Sequence, residues 1–478
     1  MKVLTLFLNT ALCLLALTSP GLTVATPSYD IVYFDLPESL EPNPIPNPTA
    51  ALAALPGYPN NQNQLTLAGV VYKPDPQTHG SGPYPTIIVL HGSGGLWSFD
   101  DISNGPANQF KEWAQVLCDR GYLCLLPDSF NPRGIAGNFG GRRPHHNPAT
   151  DDALCSPNYE RPKDVVAALT YLTTRSDVDE NNIGLLAFSH GAQTTLNVLL
   201  DPSIDISPYT VNYIDLVQVL VDNQPTWVEK SVPLQVPDPI RIPNHLPFPK
   251  VYACYYPGCG HYGYHGQASS IVASRYMPDR RCSVIMFHGT EDYLLDVNDT
   301  NVTPMTGNLF PITFVESSQL HANAENIENP FRHHLIFDHA NHSFDNATIE
   351  NMADWNTANE DEDEKAKRLA RDETLKWFAY RLKPAEPNLQ TDPQDNEVID
   401  VTWYGQDSLT YQLMKTTDLS IWSNVGPVVI GANTPLNHQL NPIGPAPAFF
   451  KLRYAPLPPP SADPDNTGFF RAYSDFSY

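Results

Sequence analysis

The stretch Ile183-Gly184-Leu185-Leu186-Ala187-Phe188-Ser189-His190-Gly191-Ala192 passes from a buried apolar run, through a polar turn, to a helix-forming segment at Ala192–Leu200. A strand ending at Phe188 and a helix opening at Gly191-Ala192 would hold the serine hydroxyl above the end of a sheet, beside helix N-terminal amides. Small residues two before and two after the serine, here Ala187 and Gly191, let strand and helix approach closely. The pentapeptide alone is common, and its weight comes from its place between a strand and a helix.

The flanking sequence repeats this alternation. Leu65–Tyr72, Thr86–Leu90, Tyr122–Leu126, Ile183–Phe188, Val251–Tyr256, Ser283–Phe287 and His334–Phe337 are short apolar runs, suited to strands. Arg161–Thr174 places Val165, Ala168, Leu169 and Leu172 on one helical face, and Asp361–Leu382 reads as a last helix burying Leu369, Leu375, Phe378 and Leu382. Residues 65–385 therefore predict an α/β fold, a mostly parallel sheet flanked by helices. Residues 26–64 are rich in Pro and Asn and read as irregular. The proline-rich stretch 203–249 follows the helix after Ser189; there it would form either a lid over the site or a plain surface excursion. Beyond a linker at 386–397, short alternating stretches such as Val401-Thr-Trp-Tyr404 predict a small β-sandwich-like module over 398–455, with a flexible tail at 456–478.

Composition sets outer bounds. A chain of 478 residues with 41% hydrophobic residues supports a large core and more than one domain. Its 28 Lys and Arg against 52 Asp and Glu give a net charge of −24, which excludes nucleic acid and anionic membranes as expected partners. Lys2, the apolar run Val3–Leu17 and Thr23-Val24-Ala25 read as a Sec-type signal peptide over 1–25, so a secreted or periplasmic protein is expected. Removal of Cys13 leaves Cys118, Cys124, Cys155, Cys254, Cys259 and Cys282, for which disulfides are expected, with Cys254-Tyr-Tyr-Pro-Gly-Cys259 as a local staple.

A serine hydroxyl becomes a nucleophile only when a base removes its proton and an acid orients that base. In this architecture the acid and the base follow the serine in order, each just past a later strand. After Ser283–Phe287, Glu291, Asp292 and Asp296 compete for the acid role, and Asp292, four residues beyond His288, is chosen. After His334–Phe337, His339 and His342 compete for the base, and His342 is chosen because Phe344 stands ready to pack beneath it. An oxyanion hole needs two backbone N–H groups. His190 supplies one, and the loop His91-Gly92-Ser93-Gly94-Gly95 the other, through Ser93 or its neighbour Gly94. No metal or organic cofactor is expected: His145-His146, His333-His334 and His261-x-x-x-His265 come without a carboxylate set. Asp296-x-Asn298-x-Thr300 lacks the glycine and closing glutamate of a calcium loop. Arg133 and Arg161 would either meet an acidic substrate group or serve structurally, with Arg161 pairing with Asp164 or the loop above it.

Seven segments occur in order: His91-Gly-Ser-Gly-Gly95, Gly121-Tyr-Leu-Cys-Leu-Leu-Pro-Asp-Ser-Phe130, Asn131-Pro-Arg-Gly134, Arg161-x-x-Asp164, Ala187-Phe-Ser-His-Gly-Ala192, His288-Gly-Thr-Glu-Asp292 and His342-x-Phe344. Together they resemble the dienelactone hydrolase family over about residues 65–385. The resemblance implies an α/β-hydrolase fold with Ser189, Asp292 and His342 as a catalytic triad. Dienelactone hydrolases proper use a cysteine nucleophile where this chain has Ser189, so the expectation is a serine hydrolase acting on a carboxylic ester, small or polymeric. A prolyl-oligopeptidase-like peptidase is the nearest rival, but the N-terminal zone is too short for a β-propeller. A non-catalytic secreted binding protein is the rival from another class. Residues 398–455 look like a β-rich module appended to exported bacterial proteins.

Overall fold

The computed structural model describes residues 28–135, 155–199, 239–257, 281–292, 332–346 and 361–382 (except 43, 60, 62 and 158), and further strands within 210–235 and 388–473. Nine strands form the main sheet: β1 (Tyr29–Asp35), β2 (Thr66–Tyr72), β3 (Tyr84–Leu90), β4 (Leu123–Asp128), β5 (Val178–Phe188), β8 (Val251–Tyr255), β9 (Ser283–Glu291), β10 (Arg332–Asn341) and β17 (Phe470–Tyr473). Their order is β1-β2-β4-β3-β5-β8-β9-β10-β17. From β4 to β10 neighbouring strands run parallel, whereas β1, β2 and β17 pair antiparallel at the two edges. The chain steps back from β3 to β4 and forward from β3 to β5, so the order reverses at β3/β5, the kind of point where such sheets bind ligands. This is the α/β-hydrolase fold.

Among the described residues, four helices cover the sheet: α1 (Asn108–Cys118), α2 (Arg161–Thr173), α3 (Ser189–Val198) and α4 (Glu362–Leu382). Strand alternation sends Leu185 and Ala187 of β5 into one hydrophobic cluster, with Val165 of α2 and Leu196 of α3. Leu186 and Phe188 enter the cluster on the opposite face, with Phe110 and Trp113 of α1 and Phe378 of α4. Both faces of the strand are thus dry, which accounts for the unbroken apolar runs. Each fully buried aliphatic or aromatic side chain contributes roughly 1.5–3 kcal/mol.

Helix α4 differs from its expected face. Leu369 and Leu375 are only partly buried, while Lys367, Arg371, Glu373 and Lys376 are buried. Lys367 and Arg371 reach Glu112 of α1 at 2.7 and 3.3 Å, and Glu373 accepts hydrogen bonds from Lys376 Nζ and Trp377 Nε1 at 2.6 and 2.9 Å. Paired charges can be buried, and an apolar-periodicity reading misses them.

Three further segments differ from expectation. Within the stretch read as irregular, Tyr29-Asp-Ile-Val-Tyr-Phe-Asp35 forms β1, because its aromatic and β-branched residues pair with β2 despite the prolines around them. Within the tail read as flexible, Phe470–Tyr473 lies antiparallel on β10 as β17. Disulfides were expected, yet none joins any two of Cys118, Cys124, Cys155, Cys254 and Cys282. Cys118 and Cys124 meet as buried thiols, with burial first and then Cys118 raising the Cys124 thiol, while Cys124 and Cys254, on β4 and β8, stand three strand spacings or about 14 Å apart, beyond the reach of an S–S bridge. Cys259, its staple with Cys254, and the signal segment 1–25 lie outside the described residues.

Between α3 and β8, β6 (Thr210–Val221) and β7 (Gln224–Gln235) form a hairpin that, among the described residues, pairs with no other strand. Toward the C-terminus, β11 (Asn388–Thr391), β12 (Ile399–Gly405) and β15 (Thr434–Leu440) make one antiparallel sheet. A second consists of β14 (Ser423–Ile430), β13 (Leu409–Thr416) and β16 (Phe449–Pro456). No helix among the described residues is long and apolar enough to cross a membrane.

Candidate active site

Strand β5 ends at Phe188 and α3 begins at Ser189 itself, whose φ of 48° lies in the left-handed region that a side chain rarely adopts. That turn lifts the hydroxyl off the end of the sheet and leaves Ser189 8% exposed. It is possible because residue 191 is glycine: a β-carbon there would sit 2.5 Å from the His91 carbonyl oxygen and 2.6 Å from that of Leu90.

The serine meets residues from two distant loops. Ser189 Oγ lies 3.0 Å from His342 Nε2, and His342 Nδ1 lies 2.8 Å from Asp292 Oδ2. Asp292 follows β9 and His342 follows β10, adjacent parallel strands whose ends draw together at Gly289. A β-carbon at Gly289 would fall 2.0 Å from the Ala340 carbonyl oxygen, so the close approach of the two loops requires glycine. The competing residues go elsewhere. Glu291 and His339, 57% and 73% exposed in their side chains, face each other at 3.4 Å on the surface. Asp296 lies outside the described residues.

Phe344 is fully buried, but the ring against His342 is that of Tyr256, edge-on with centroids 4.8 Å apart; Phe344 in turn packs on Tyr256 at 5.3 Å. Tyr256 follows β8 with a φ of 33° and donates its hydroxyl proton to Asp345 Oδ1. Gln109 Nε2, from α1, donates to Asp345 Oδ2 at 2.7 Å and reaches the Tyr256 hydroxyl at 3.2 Å. Burial first, then the adjacent Asp345, pushes the Tyr256 phenol well up; burial likewise raises the Asp345 carboxyl against its donors. The Tyr256 ring, held by buried Asp345 and half-buried Gln109, therefore backs the base. Sequence reasoning passed over Tyr256, Asp345 and Gln109, for which the only local signal was Asp345 following Phe344.

On the other side of Ser189 stands the His91–Gly95 loop. Gly92 lies against the serine, since a β-carbon on it would be 3.4 Å from Ser189 Cβ. The Ser129 N–H donates to His91 Nε2 at 3.2 Å, so His91 carries its proton on Nδ1, which bonds the Gly92 carbonyl at 2.8 Å. Burial, reinforced by Arg161, holds the His91 pKa well below the usual histidine range. Ser93, partly exposed, follows in the same loop, and His190 is the second residue of α3, where helix geometry points N–H groups out of the N-terminus.

Both arginines are buried. It is Arg133, and not Arg161, that pairs with Asp164, through two bonds of 2.6 and 3.0 Å. Burial alone would lower the Arg133 pKa; Asp164, with Cys155 and Glu160 beside it, offsets this and the net shift is upward. Arg161 instead spans the two loops beside Ser189, with Nη2 donating to the His91 carbonyl at 2.9 Å and Nη1 to His190 Nδ1 at 2.6 Å. Neither guanidinium is open to a substrate, because the structure buries both completely enough to leave no face in solvent. Among the described residues, no group of three His, Cys, Asp or Glu side chains could hold a metal ion.

The strand order, the left-handed serine at the β5–α3 turn and the two loops past β9 and β10 define a chain of the α/β-hydrolase fold carrying a Ser-His-Asp constellation. No protein-family model matches the chain. It is 28% identical over 142 residues to the uncharacterized protein YcjY of Escherichia coli K12; the match covers 30% of this chain and spans only 39% of that protein's length. Similar solved structures include the dienelactone hydrolase-like promiscuous phosphotriesterase P91 from metagenomic libraries, at 14% identity and a TM-score of 0.36, covering 74% of this chain and 99% of that one. They also include a thermophilic esterase, Est2 of Thermogutta terrifontis, with propionate bound, at 16% identity and a TM-score of 0.34, covering 68% and 94%.

Proposed function

We propose that the protein is a serine hydrolase that cleaves carboxylic esters through an acyl-enzyme. The observation that carries this reading is the unbroken chain Ser189 Oγ, His342 Nε2, His342 Nδ1, Asp292 Oδ2, with spacings of 3.0 and 2.8 Å. Asp292 accepts a hydrogen bond from His342 Nδ1–H, which leaves the Nε2 lone pair toward the serine. His342 takes the hydroxyl proton as Ser189 Oγ bonds to the ester carbonyl carbon. The negative charge that develops on the carbonyl oxygen is held by the N–H groups of His190 and Ser93. His342 then returns the proton to the leaving alcohol, and a water molecule repeats the attack on the acyl-enzyme.

The apolar leader at 1–25 and the excess of acidic residues support export and a partner that is a small or polymeric ester, without nucleic acid or membrane. In the test, purified protein is offered a simple aryl ester and a fluorophosphonate probe. Turnover and labelling are expected in the wild type, with both lost in Ser189→Ala at an unchanged thermal midpoint. Wild-type turnover by Ser189→Ala, or absence of labelling in the folded wild type, would overturn the proposal.

A further inference from the structure

The site contains a second buried cation that the proton relay does not use. We propose that Arg161 is a positioning residue for the oxyanion hole, tying its two donor segments, the His91–Gly95 loop and the start of α3, to one guanidinium and setting a positive charge behind them. This rests on the acyl-transfer reading above.

Arg161 opens α2, far in sequence from both loops, and is completely buried. Its two terminal nitrogens divide their bonds between the two donor segments: 2.9 Å to the His91 carbonyl and 2.6 Å to His190 Nδ1. The ring of Phe130 completes the seat, 5.4 Å from the guanidinium carbon and edge-on to His91 and His190 at 4.6 and 6.1 Å. A guanidinium has donors and no acceptor, so His190 Nδ1 must present its lone pair and carry its hydrogen on Nε2. The His190 ring is thereby fixed in one tautomer and orientation, and with it the residue whose N–H stands beside the nucleophile.

The first loop is fixed through its peptide planes. A trans peptide holds its C=O and N–H antiparallel. Arg161 on the His91 carbonyl therefore sends the Gly92 N–H the other way. The next plane is set alike: the Gly92 carbonyl accepts from His91 Nδ1 at 2.8 Å and from the Gly95 N–H at 3.3 Å, which turns the Ser93 N–H to the opposite side. His91 and Arg161 thus set consecutive peptides of the oxyanion loop, and Arg161 ties that loop to α3.

Charge adds to geometry. Asp164 is engaged by Arg133 in two bonds, and Arg161 forms no salt bridge among the described residues. Burial draws its pKa down, but a guanidinium stays cationic at neutral pH. A fixed cation one hydrogen bond behind the donors favours an anion in front of them and costs no reorganisation during the reaction.

The test compares wild type, Arg161→Met and Arg161→Lys on an aryl acetate, with kcat expressed per site titrated by a fluorophosphonate. In Arg161→Met, kcat is expected to fall about 10²-fold while KM changes by less than about threefold. Affinity for a trifluoromethyl ketone, which forms the tetrahedral oxyanion, should fall by the same factor. The thermal midpoint should change little, because the desolvation cost of a buried cation, once removed, offsets the loss of a donor to the His91 carbonyl and His190 Nδ1. Arg161→Lys keeps the charge but reaches one acceptor, and should fall between. A kcat per titrated site near wild type in both variants overturns the proposal, as does a loss confined to KM or one that follows a falling thermal midpoint. If Arg161→Met does not fold, Arg161→Lys is judged by the same criteria. A wild type inert to ester and probe sinks the acyl-transfer reading and this inference together; activity lost in Ser189→Ala but kept in both Arg161 variants sinks only the latter.

Discussion

At Gly191 the absence of one carbon sets the distance between nucleophile and oxyanion loop. A methyl group there would enter the space of the His91 and Leu90 carbonyl oxygens. Gly191→Ala is therefore expected to cost about 1–3 kcal/mol or more, with activity falling further than stability because the displaced carbonyl is the one Arg161 holds. Thermal melts beside ester turnover would check this. His91 gives a pH signature. Its folded pKa is depressed, so below the ordinary histidine value near 6.5 the unfolded chain binds a proton that the folded protein refuses. Stability is then expected to fall as pH drops from about 7 to 5, with a slope approaching about 1.4 kcal/mol per pH unit from this residue. Denaturant midpoints across that range, in wild type and His91→Asn, would show whether the slope belongs to it. Ser189, Asp292 and His342 were legible in the sequence because the fold imposes their order along the chain. The structural role of Arg161 toward a loop was legible too, though not its exact partners; His91 and Tyr256 were not legible as supporting groups, because their partners are backbone groups and rings from other strands, which leave no spacing to read.

Among the elements, the turn after β4 is joined to α2 by one buried ion pair, Arg133–Asp164, whose side chains are 1% and 0% exposed. Asp164→Ala would strand a guanidinium that also donates to the Ser129 carbonyl at 2.9 Å, and is expected to cost about 3–5 kcal/mol. Urea unfolding of the variant would measure it, and a loss under about 1 kcal/mol would contradict the account. The same pair shows what element-level reading can deliver. The helix at 161–173 follows from its apolar spacing, whereas the identity of Asp164's partner depends on a turn that only the folded chain brings near. Strand β1 was hidden for a different reason: seven strand-forming residues stand among prolines that dominate the local composition. In α4, Phe378 and Leu382 are buried as periodicity led one to expect, while paired charges are buried beside Leu369 and Leu375, which are only partly covered.

For the molecule as a whole, the net charge of −24 predicts no retention of the purified protein by duplex DNA or anionic vesicles at physiological salt. Co-sedimentation with either would overturn that expectation. The sheet order explains why fold class could be inferred from the sequence while detail could not. Parallel strands buried on both faces announce themselves as apolar runs. Antiparallel edges and the β6–β7 hairpin depend on partners, and proline-rich composition obscures them.

The three groups of the relay also sit at very different points of chain assembly. Ser189 and His342 are 153 residues apart, His342 and Asp292 are 50 apart, and their strands occupy the centre and the far side of one parallel sheet. Contacts this distant in sequence close late during folding, after loop entropy has been overcome. Chemical competence of Ser189 should therefore be a clock for the arrival of β10. In refolding from denaturant, probe labelling should recover more slowly than far-UV ellipticity. A partly folded chain that already holds its central strands would carry the serine in place and be inert.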